Sequence, residues 1–315
     1  MELGLVWRAP SRQNPLVPTT TRALLIVNPG ARRAEKASVS AVRAFARAGV
    51  PCDVVVTQNA GHATEVTRAR AADYDAVFTL GGDGTAMEVI TALADGGPPV
   101  GILAGGTGNV LVRSFGIPLR VSRAVPALLQ GETAHIDLGR LGDGRHFAIG
   151  IGVGLDEAMI AGASRMMKKR AGLWAYVWSA TQALVKLDRF NVRLTVDGTT
   201  HEREVASVLI ANLGTVLGGV MVLGQGILHD DGLLHACLFS PKTRGDAVRI
   251  FARMLRGTAH LDPCAFYVPG KTFRLETDPP RRAQADGELL ESTPIDITVR
   301  ARAASLLIPK GKGRR

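Results

Sequence analysis

The sequence has little cysteine and no long apolar run. Its three cysteines, Cys52, Cys237 and Cys264, lie far apart and include no CxxC pair. Neither a disulfide framework nor a zinc site is therefore indicated, and we expect a reducing, cytoplasmic location. The longest apolar stretch, at 171–185, is shorter than the roughly 20 residues that a bilayer-spanning helix needs. We therefore expect a chain that does not span a membrane.

A signal peptide and internal repeats are also missing. The first twenty residues hold no apolar core of signal-peptide length, so we expect a flexible leader at 1–20. No repeat of solenoid period is visible, which argues against a scaffold array. The length of 315 residues instead favours two globular domains. The net charge of +10 suits an anionic partner such as a nucleotide, a nucleic acid or an acidic membrane surface.

The first part of the chain alternates strand-like and helix-like segments. The strand-like runs are short and apolar or β-branched, and they lie at 22–27, 54–57, 76–80 and 100–103. Segments with helical periodicity lie between them, at 35–48 and 86–94. Strands that alternate with helices predict a parallel sheet covered on both faces. Ligands of such sheets bind at the carboxyl ends of the strands, where this sequence has its glycine-rich loops.

After residue 135 the chain changes to short strands joined by turn dipeptides. Asp143-Gly144 separates two apolar runs, and Asp197-Gly198 separates strands expected at 190–196 and 205–211. This half of the chain is therefore predicted to be largely antiparallel, with one helix inserted at 165–186.

The segment Gly81-Gly82-Asp83-Gly84-Thr85 follows a buried type of strand and precedes a helix. Its glycines permit a close backbone approach, so successive N–H groups can bind phosphate oxygens beside a helix N-terminus. Thr85 adds a hydroxyl group. Asp83 would repel a phosphate unless a divalent cation bridges the two, and for this reason we predict Mg²⁺. The alternative is a tight strand-to-helix turn in which Asp83 is the N-cap.

Two further loops occupy equivalent places in the pattern. Gly105-Gly106-Thr107-Gly108-Asn109 offers hydroxyl and amide donors at Thr107 and Asn109, and Asn28-Pro29-Gly30 ends the first strand. Because loops of this kind converge on one edge of a parallel sheet, the set favours a nucleotide cradle over three unrelated turns. The nearby cations that can neutralise phosphate charge, or else lie solvated at the surface, are Arg32, Arg33 and Arg113.

Together these motifs resemble those of the diacylglycerol and sphingosine kinase family of lipid kinases, in particular its soluble bacterial members. The motifs cover nearly the whole chain after the leader, and they are NPG at 28–30, Thr57 followed by Gly61-His62-Ala63, GGDGT at 81–85 with Glu88, GTGN at 106–109, LHDDGL at 228–233 and DGE at 286–288. The family's usual aspartate after the GTGN asparagine is Val110 here.

The resemblance implies a two-domain fold with the active site in the cleft between the domains. The first domain would be an α/β nucleotide-binding domain with a parallel sheet, as in phosphofructokinase and NAD kinase, and the second an antiparallel β-sandwich. We place the ATP-binding domain at 21–134, with a strand at 296–309 as a candidate to complete it. The β-rich lipid domain is expected at 135–295 and a basic tail at 310–315.

The resemblance also implies roles for single residues. The expected ATP contacts are Asn28, Pro29, Gly30, Thr57, Gly82, Asp83, Gly84, Thr85, Ala86, Met87, Glu88 and Thr107. Glu288 is expected to be the proton acceptor and Asp83 to belong to the magnesium network, although either carboxylate is a candidate base. A structural Mg²⁺ would be bound by the carbonyls of Leu228 and Leu233 and by the carboxylate of Asp231. From the residues alone, Asp286-Gly287 is equally a hairpin turn with Glu288 in solvent.

The predicted function is ATP- and Mg²⁺-dependent transfer of a γ-phosphate to the hydroxyl of a lipid such as diacylglycerol. The alternatives are a NAD kinase-like phosphotransferase, a sphingosine or ceramide kinase, and an inactive regulator that binds nucleotide or lipid. The GTGN and DGE motifs favour the lipid branch over NAD kinase, and intact Asp83 and Glu288 argue against an inactive regulator. Expected partners are ATP and a lipid, with no specific nucleic acid and with a homodimer left open.

A basic cluster at 165–170 leads into interfacial aromatic residues at 173–178. We hypothesise that this segment docks on an anionic bilayer, which makes the protein cytoplasmic and peripheral at the membrane. An ordinary core helix with a solvated basic start is the alternative interpretation.

Overall fold

The computed structural model describes residues 20–31, 34–94, 96–154, 188–216, 221–224 and 226–311. The expectations for residues 1–19, Arg32, Arg33, the segment 165–186 and the tail residues 312–315 fall outside this part of the chain and stay predictions. In the described ranges no helix is long and apolar enough to cross a bilayer.

The secondary structure alternates strands and helices first and is mostly strands afterwards. The described helices are α1 (Ala34–Arg47), α2 (His62–Arg70), α3 (Asp83–Ala92), α4 (Val110–Ser114), α5 (Val121–Leu129) and α6 (Arg244–Leu255). The described strands are β1 (Ala23–Val27), β2 (Cys52–Val56), β3 (Ala76–Gly81), β4 (Val100–Ala104), β5 (Glu132–Leu141), β6 (His146–Phe147), β7 (Gly150–Val153), β8 (Phe190–Val196), β9 (Thr199–Val205), β10 (Ser207–Ala211), β11 (Thr215–Val216), β12 (Met221–Val222), β13 (Leu234–Phe239), β14 (Ala265–Gly270), β15 (Thr272–Asp278), β16 (Arg282–Ala285), β17 (Glu288–Ser292) and β18 (Ile295–Ile308).

The parallel part of the first sheet has the order β2-β1-β3-β4. All residues of β1 and β3 are buried, whichever face they point to, so both faces of this sheet are covered. Because β1, β3 and β4 are parallel neighbours, their carboxyl ends lie side by side. Each of these strands runs into one of the three loops predicted to bind phosphate.

This sheet continues without a break into the second half of the chain. β18 lies beside β4 in parallel, at Leu306 and Val100, and pairs antiparallel with β5 and β15, and β15 in turn pairs with β8. The pairing of β18 with β5 is interrupted between Arg300 and Ala304, and Arg302 there has a positive φ of 53°. The sheet is thus mixed rather than purely parallel. The expected division of the chain at 134/135 stays a prediction.

A second sheet, antiparallel throughout, packs on this extension. Its order is β14-β13-β10-β7-β16-β17. β8 alternates buried and exposed residues, and its inward residues Phe190, Val192 and Leu194 share one apolar core with Ile151 and Ile210 of the second sheet. The expectation of an α/β domain followed by an antiparallel β-sandwich is confirmed.

Two expected boundaries were wrong. The hairpin after Asp197-Gly198 returns as β9, not as the predicted strand 205–211, whose residues from Ser207 belong to β10 in the other sheet. Five of the first six residues of β9 are exposed, so it lacks the buried alternation that marks a strand. The helix after GGDGT begins at Asp83 rather than Ala86, because Ala86 N–H already bonds to the carbonyl of Gly82.

Candidate active site

The three predicted loops meet at the edge of the parallel sheet. Asn28 donates its side-chain amide to Thr85 Oγ1 (2.9 Å), and the N–H of Gly105 donates to the carbonyl of Gly81 (2.8 Å). The first bond joins the NPG loop to GGDGT, and the second joins GGDGT to GGTGN. Asn28 and Gly105 are 77 positions apart in the sequence, and both form hydrogen bonds to the GGDGT loop.

Glycine is required where these loops touch. A Cβ at Gly106 would lie 2.7 Å from the Cα of Gly82, and a Cβ at Gly105 would lie 3.1 Å from the Cα of Gly81. Backbone therefore packs on backbone, as close approach of a loop to a bound phosphate also requires. Gly82 and Gly84 are themselves at least partly exposed, so the first turn of α3 faces outward from the sheet edge.

Asp83 has a structural role that the sequence argument did not consider. Its carboxylate accepts the N–H groups of Val110 and Leu111, each at 3.1 Å, and so caps the N-terminus of α4. Mg²⁺ is predicted because a bare Asp83 carboxylate would repel phosphate. The capping of α4 gives this carboxylate a structural role as well. Each oxygen retains a lone pair, so capping does not prevent contact with a cation.

Asn109 acts within its own loop. Its side chain accepts the N–H of Gly106 (2.9 Å) and donates to the carbonyl of Gly106 (2.7 Å), while its backbone takes the left-handed conformation at φ 47°. The side-chain amide thus closes the loop, and its role as a ligand donor stays a prediction. Thr107 and Gly108 form the exposed tip of this loop.

Glu88 lies one helical turn beyond the loop and anchors a neighbouring helix. Its Oε2 accepts the N–H of Ala63 (3.1 Å) in the first turn of α2, where Gly61 supplies no side-chain cap. Thr57 at the end of β2 is nearly buried and donates its backbone N–H to the carbonyl of Val27 (2.8 Å). This explains how both lie at the same sheet edge as the loops.

The other expected ATP contacts differ in accessibility. The side chains of Thr85, Ala86 and Met87 are buried, whereas Pro29 and Gly30 are exposed. Arg113, the described one of the three predicted cations, is exposed and donates to the carbonyl of Gly108 (3.3 Å). The ATP assignments themselves stay predictions.

The DGE motif turns back toward the GGDGT loop. Asp286 (φ 48°) and Gly287 (φ 94°) form the tight turn between β16 and β17, and Glu288 is exposed as the first residue of β17. A Cβ added at Gly84 would lie 4.0 Å from Glu288 Oε1. A carboxylate from the second half of the chain therefore faces the GGDGT loop of the first half.

Asp286 fixes the position of this turn. Its carboxylate accepts three consecutive N–H groups, from Ala148 (2.7 Å), Ile149 (3.0 Å) and Gly150 (3.0 Å). Burial raises the pKa of the Asp286 carboxyl to about 6, and the negative charge of Asp83 adds to the rise against the three N–H donors. The carboxylates of Asp83 and Asp286 therefore lie close enough for electrostatic repulsion between them.

The loop predicted to bind a structural metal lies beside a buried aspartate. Asp137 is fully buried and accepts the N–H groups of Gly232 (2.6 Å) and Arg302 (2.6 Å). Burial raises the pKa of Asp137, and the charges of Asp231 and Asp230 add to the rise. Asp231 Oδ1 accepts the N–H of Leu233 (3.0 Å). The loop thus concentrates negative charge around a buried carboxylate.

A residue that the sequence analysis missed connects these two regions. Asn212 is fully buried and donates its amide to the carbonyls of Asp137 (2.7 Å) and Ala148 (2.9 Å). The peptide of Ala148 in turn bonds to Asp286. No motif marks Asn212, since its partners are 75 and 64 positions away; a lone polar residue at the end of the apolar run 207–211 was the available signal.

No group of three or more His, Cys, Asp or Glu side chains within the described ranges is arranged to hold a metal ion. A metal bound by these residues would need other ligands as well, such as main-chain carbonyls, water or the phosphates of a nucleotide.

Comparison with known families and proteins agrees with this architecture. The sequence matches the family described as "Diacylglycerol kinase catalytic domain" over residues 22–141. It matches the family described as "YegS C-terminal NAD kinase beta sandwich-like domain" over residues 150–308.

The sequence is also similar to individual proteins over about three quarters of its length. A protein of Staphylococcus aureus (strain Newman) named "Putative lipid kinase" is 29% identical over 252 residues, which are 76% of this chain and 79% of that protein. An uncharacterized protein of Synechocystis sp. is 26% identical over 238 residues, which are 74% of this chain and 54% of that protein. The match thus spans about half the length of the Synechocystis relative.

The fold is shared with a solved structure titled "Crystal structure of a putative diacylglycerol kinase from Bacillus anthracis str. Sterne". The TM-score is 0.79 at 22% identity, with 96% of this chain and 98% of that chain covered.

Proposed function

Because the chain belongs to the family of diacylglycerol kinase-type lipid kinases, we propose that it transfers the γ-phosphate of ATP to the hydroxyl of a lipid such as diacylglycerol. Phosphoryl transfer of this kind needs a site that positions the phosphates, neutralises their charge and removes a proton from the acceptor hydroxyl. The described loops and the DGE turn offer residues for each of these tasks.

The observation that carries the proposal is the approach of Glu288 to the GGDGT loop. Its Oε1 lies 4.0 Å from the position of a Cβ at Gly84. An acceptor hydroxyl placed between the loop and this carboxylate would be near both the γ-phosphate and a base. Glu288 is therefore our candidate proton acceptor.

The remaining residues would bind and orient. The N-terminus of α3, with Gly82 to Thr85, would bind phosphate oxygens through its free N–H groups. Asn28 would hold Thr85 in place through the hydrogen bond that its side-chain amide donates to the Thr85 hydroxyl. Asp286 would keep Glu288 at the loop, because its three bonds fix the turn on which Glu288 lies.

The residues fit a divalent cation, which would neutralise phosphate charge during transfer. Asp83 keeps unused lone pairs at the phosphate loop, and phosphate oxygens and water would complete the six ligands that Mg²⁺ prefers. For a structural ion, the buried charge of Asp137 beside Asp231 suits a cation, with the carbonyls of Leu228 and Leu233 as further oxygen ligands.

The acceptor class is tested with purified protein, labelled ATP, Mg²⁺ and a panel of acceptors. The panel contains diacylglycerol, monoacylglycerol, ceramide, sphingosine and NAD. We expect label in a lipid product and none in NAD. Transfer to NAD alone, or to no acceptor, would contradict the proposal; transfer to sphingosine or ceramide in place of diacylglycerol would retain the lipid kinase and change the substrate.

A further inference from the structure

The helix α6 has an outer face that combines exposed apolar side chains with unpaired cations. Val248 and Leu255 are 57% and 47% exposed, and Phe251 between them is partly exposed and also packs against the apolar cluster beneath the helix. The spacing i, i+3 and i+7 aligns these three side chains along one side of the helix. Exposed Arg244 and Arg256 lie at the two ends of this row. We call these five residues the outer face of α6.

The acidic groups near α6 are already neutralised. Arg249 pairs with both Asp246 (2.7 Å) and Asp262 (2.9 Å), and Arg253 also pairs with Asp262 (3.3 Å). Arg244 and Arg256 have no ion-pair partner among the described residues, and the segment 241–262 carries five basic and two acidic side chains. This face is therefore left with a positive charge that its own helix does not balance.

The opposite side of α6 packs on a segment that contacts α4. Ile250 and Met254 share an apolar cluster with Met221 of β12. β12 pairs with β11, where the hydroxyl of Thr215 is 3.1 Å from that of Ser114 at the end of α4. α4 follows the GGTGN loop directly. A short chain of contacts thus leads from α6 to the candidate active site.

From these observations we propose that the outer face of α6 docks the protein on an anionic lipid bilayer. Exposed apolar side chains would enter the interface while the flanking arginines bind acidic headgroups, the combination by which amphipathic helices bind membranes. Docking would bring the candidate active site to a lipid acceptor, and in this respect the inference rests on the proposed function. Docking itself is a binding event and is measured without catalysis.

The test is co-sedimentation of the full-length protein with vesicles of phosphatidylglycerol and phosphatidylcholine in equal parts. Vesicles of phosphatidylcholine alone are the comparison. We expect wild-type protein to prefer the anionic vesicles, and less so at high salt. A charge variant, Arg244→Glu with Arg256→Glu, should lower partitioning about tenfold or more. An apolar variant, Val248→Asn with Leu255→Asn, should also lower it.

The chain offers a matched control on α1. That helix also has two exposed valines, Val39 and Val42, and two exposed arginines, Arg43 and Arg47, but it lies in the parallel part of the fold. The corresponding substitutions to Asn and Glu on α1 should leave vesicle binding unchanged. Each changed side chain is exposed, and thermal melting confirms that the variants fold.

The outcomes separate docking from catalysis. Transfer to a short-chain diacylglycerol dissolved as a monomer should be the same for wild type and the α6 variants. Vesicle binding that depends on α6 supports docking even if no lipid is phosphorylated, an outcome that would contradict the proposed function alone. Wild-type protein without preference for anionic vesicles, unchanged binding by both folded α6 variants, or an equal loss in the α1 control would overturn the docking proposal.

Discussion

At the scale of single residues, Asp286 links the two halves of the candidate site. It accepts the main-chain N–H groups of Ala148 and Ile149, which precede β7, and of Gly150, which begins it, and two positions later Glu288 faces Gly84. From the sequence, the DGE motif has two interpretations, a proton acceptor at Glu288 or a plain hairpin turn. The hairpin turn is present and brings Glu288 to the loop, and the catalytic role of Glu288 stays a prediction.

Asp286→Asn tests this positioning role. Asparagine keeps one acceptor oxygen for Ile149 and Gly150 but turns an NH₂ group toward the N–H of Ala148, so the turn should shift. We expect kcat to fall by about 10², with the KM for ATP unchanged because the phosphate loop is not touched. Steady-state kinetics with both substrates measure the effect, and a fall in ATP affinity with unchanged kcat would contradict it.

The same residue predicts a pH dependence. Because the pKa of Asp286 is raised to about 6, its carboxyl takes up a proton at a higher pH than an ordinary aspartate. Protonation removes an acceptor for the N–H groups, so wild-type kcat should fall as the pH drops through about 6. The Asp286→Asn variant should lack this acid limb; a limb of equal size and position in both proteins would exclude Asp286 as its origin.

At the scale of elements, the sequence predicted the strands of the parallel sheet and the loops that follow them, because buried runs and glycine-rich turns are local signals. It missed β9, which is polar and largely exposed. It also missed the first turn of α3, because the sequence Gly-Asp-Gly is typical of a loop. It could not reveal that Asp83 caps α4, because the two partners are 27 and 28 positions away.

The loop packing predicts unequal effects of two glycine substitutions. Gly106→Ala places a Cβ 2.7 Å from the Cα of Gly82 and should lower the free energy of unfolding by about 1–3 kcal/mol. In Gly82→Ala the added Cβ meets nothing closer than 3.8 Å, and the backbone φ of −89° suits any residue. The free energy of unfolding should therefore change by no more than about 0.5 kcal/mol. Chemical denaturation compares them, and equal losses would refute the described packing.

Asp83 has a matched structural control in α6. Thr243 caps that helix by accepting the N–H of Asp246 (3.1 Å), as Asp83 caps α4. Asp83→Asn leaves one of the two N–H groups of α4 without its acceptor, so we expect it and Thr243→Ala each to lower the free energy of unfolding by about 1 kcal/mol. Only Asp83→Asn should reduce phosphate transfer. Equal activity of the two variants would show that Asp83 is a cap and nothing more.

At the scale of the whole molecule, β18 joins the two halves. One strand of 14 residues pairs with β15 at its start and lies between β4 and β5 at its end. Local sequence patterns predict a strand here and suggested 296–309 as a completing segment. They do not reveal the mixed sheet, because pairing with β4 joins residues about two hundred positions apart.

A truncation after Arg300 tests this role of β18. It removes the buried residues Leu306, Leu307 and Ile308 from the core of the parallel sheet. We expect a single cooperative unfolding transition in the wild type and loss of that cooperativity in the truncated chain, measured by calorimetry. A truncation after Gly311 is the control and should unfold like the wild type. Unchanged unfolding after the first truncation would mean that β18 is not structurally required.

We have proposed that Glu288, held beside the GGDGT loop, removes the proton from a lipid hydroxyl. The most direct test measures ATP affinity and lipid phosphorylation together in wild type and in Glu288→Gln. We predict an unchanged Kd for ATP and a loss of transfer of about 10²–10⁴. Transfer at the wild-type rate by a folded Glu288→Gln protein would show that Glu288 is not the proton acceptor.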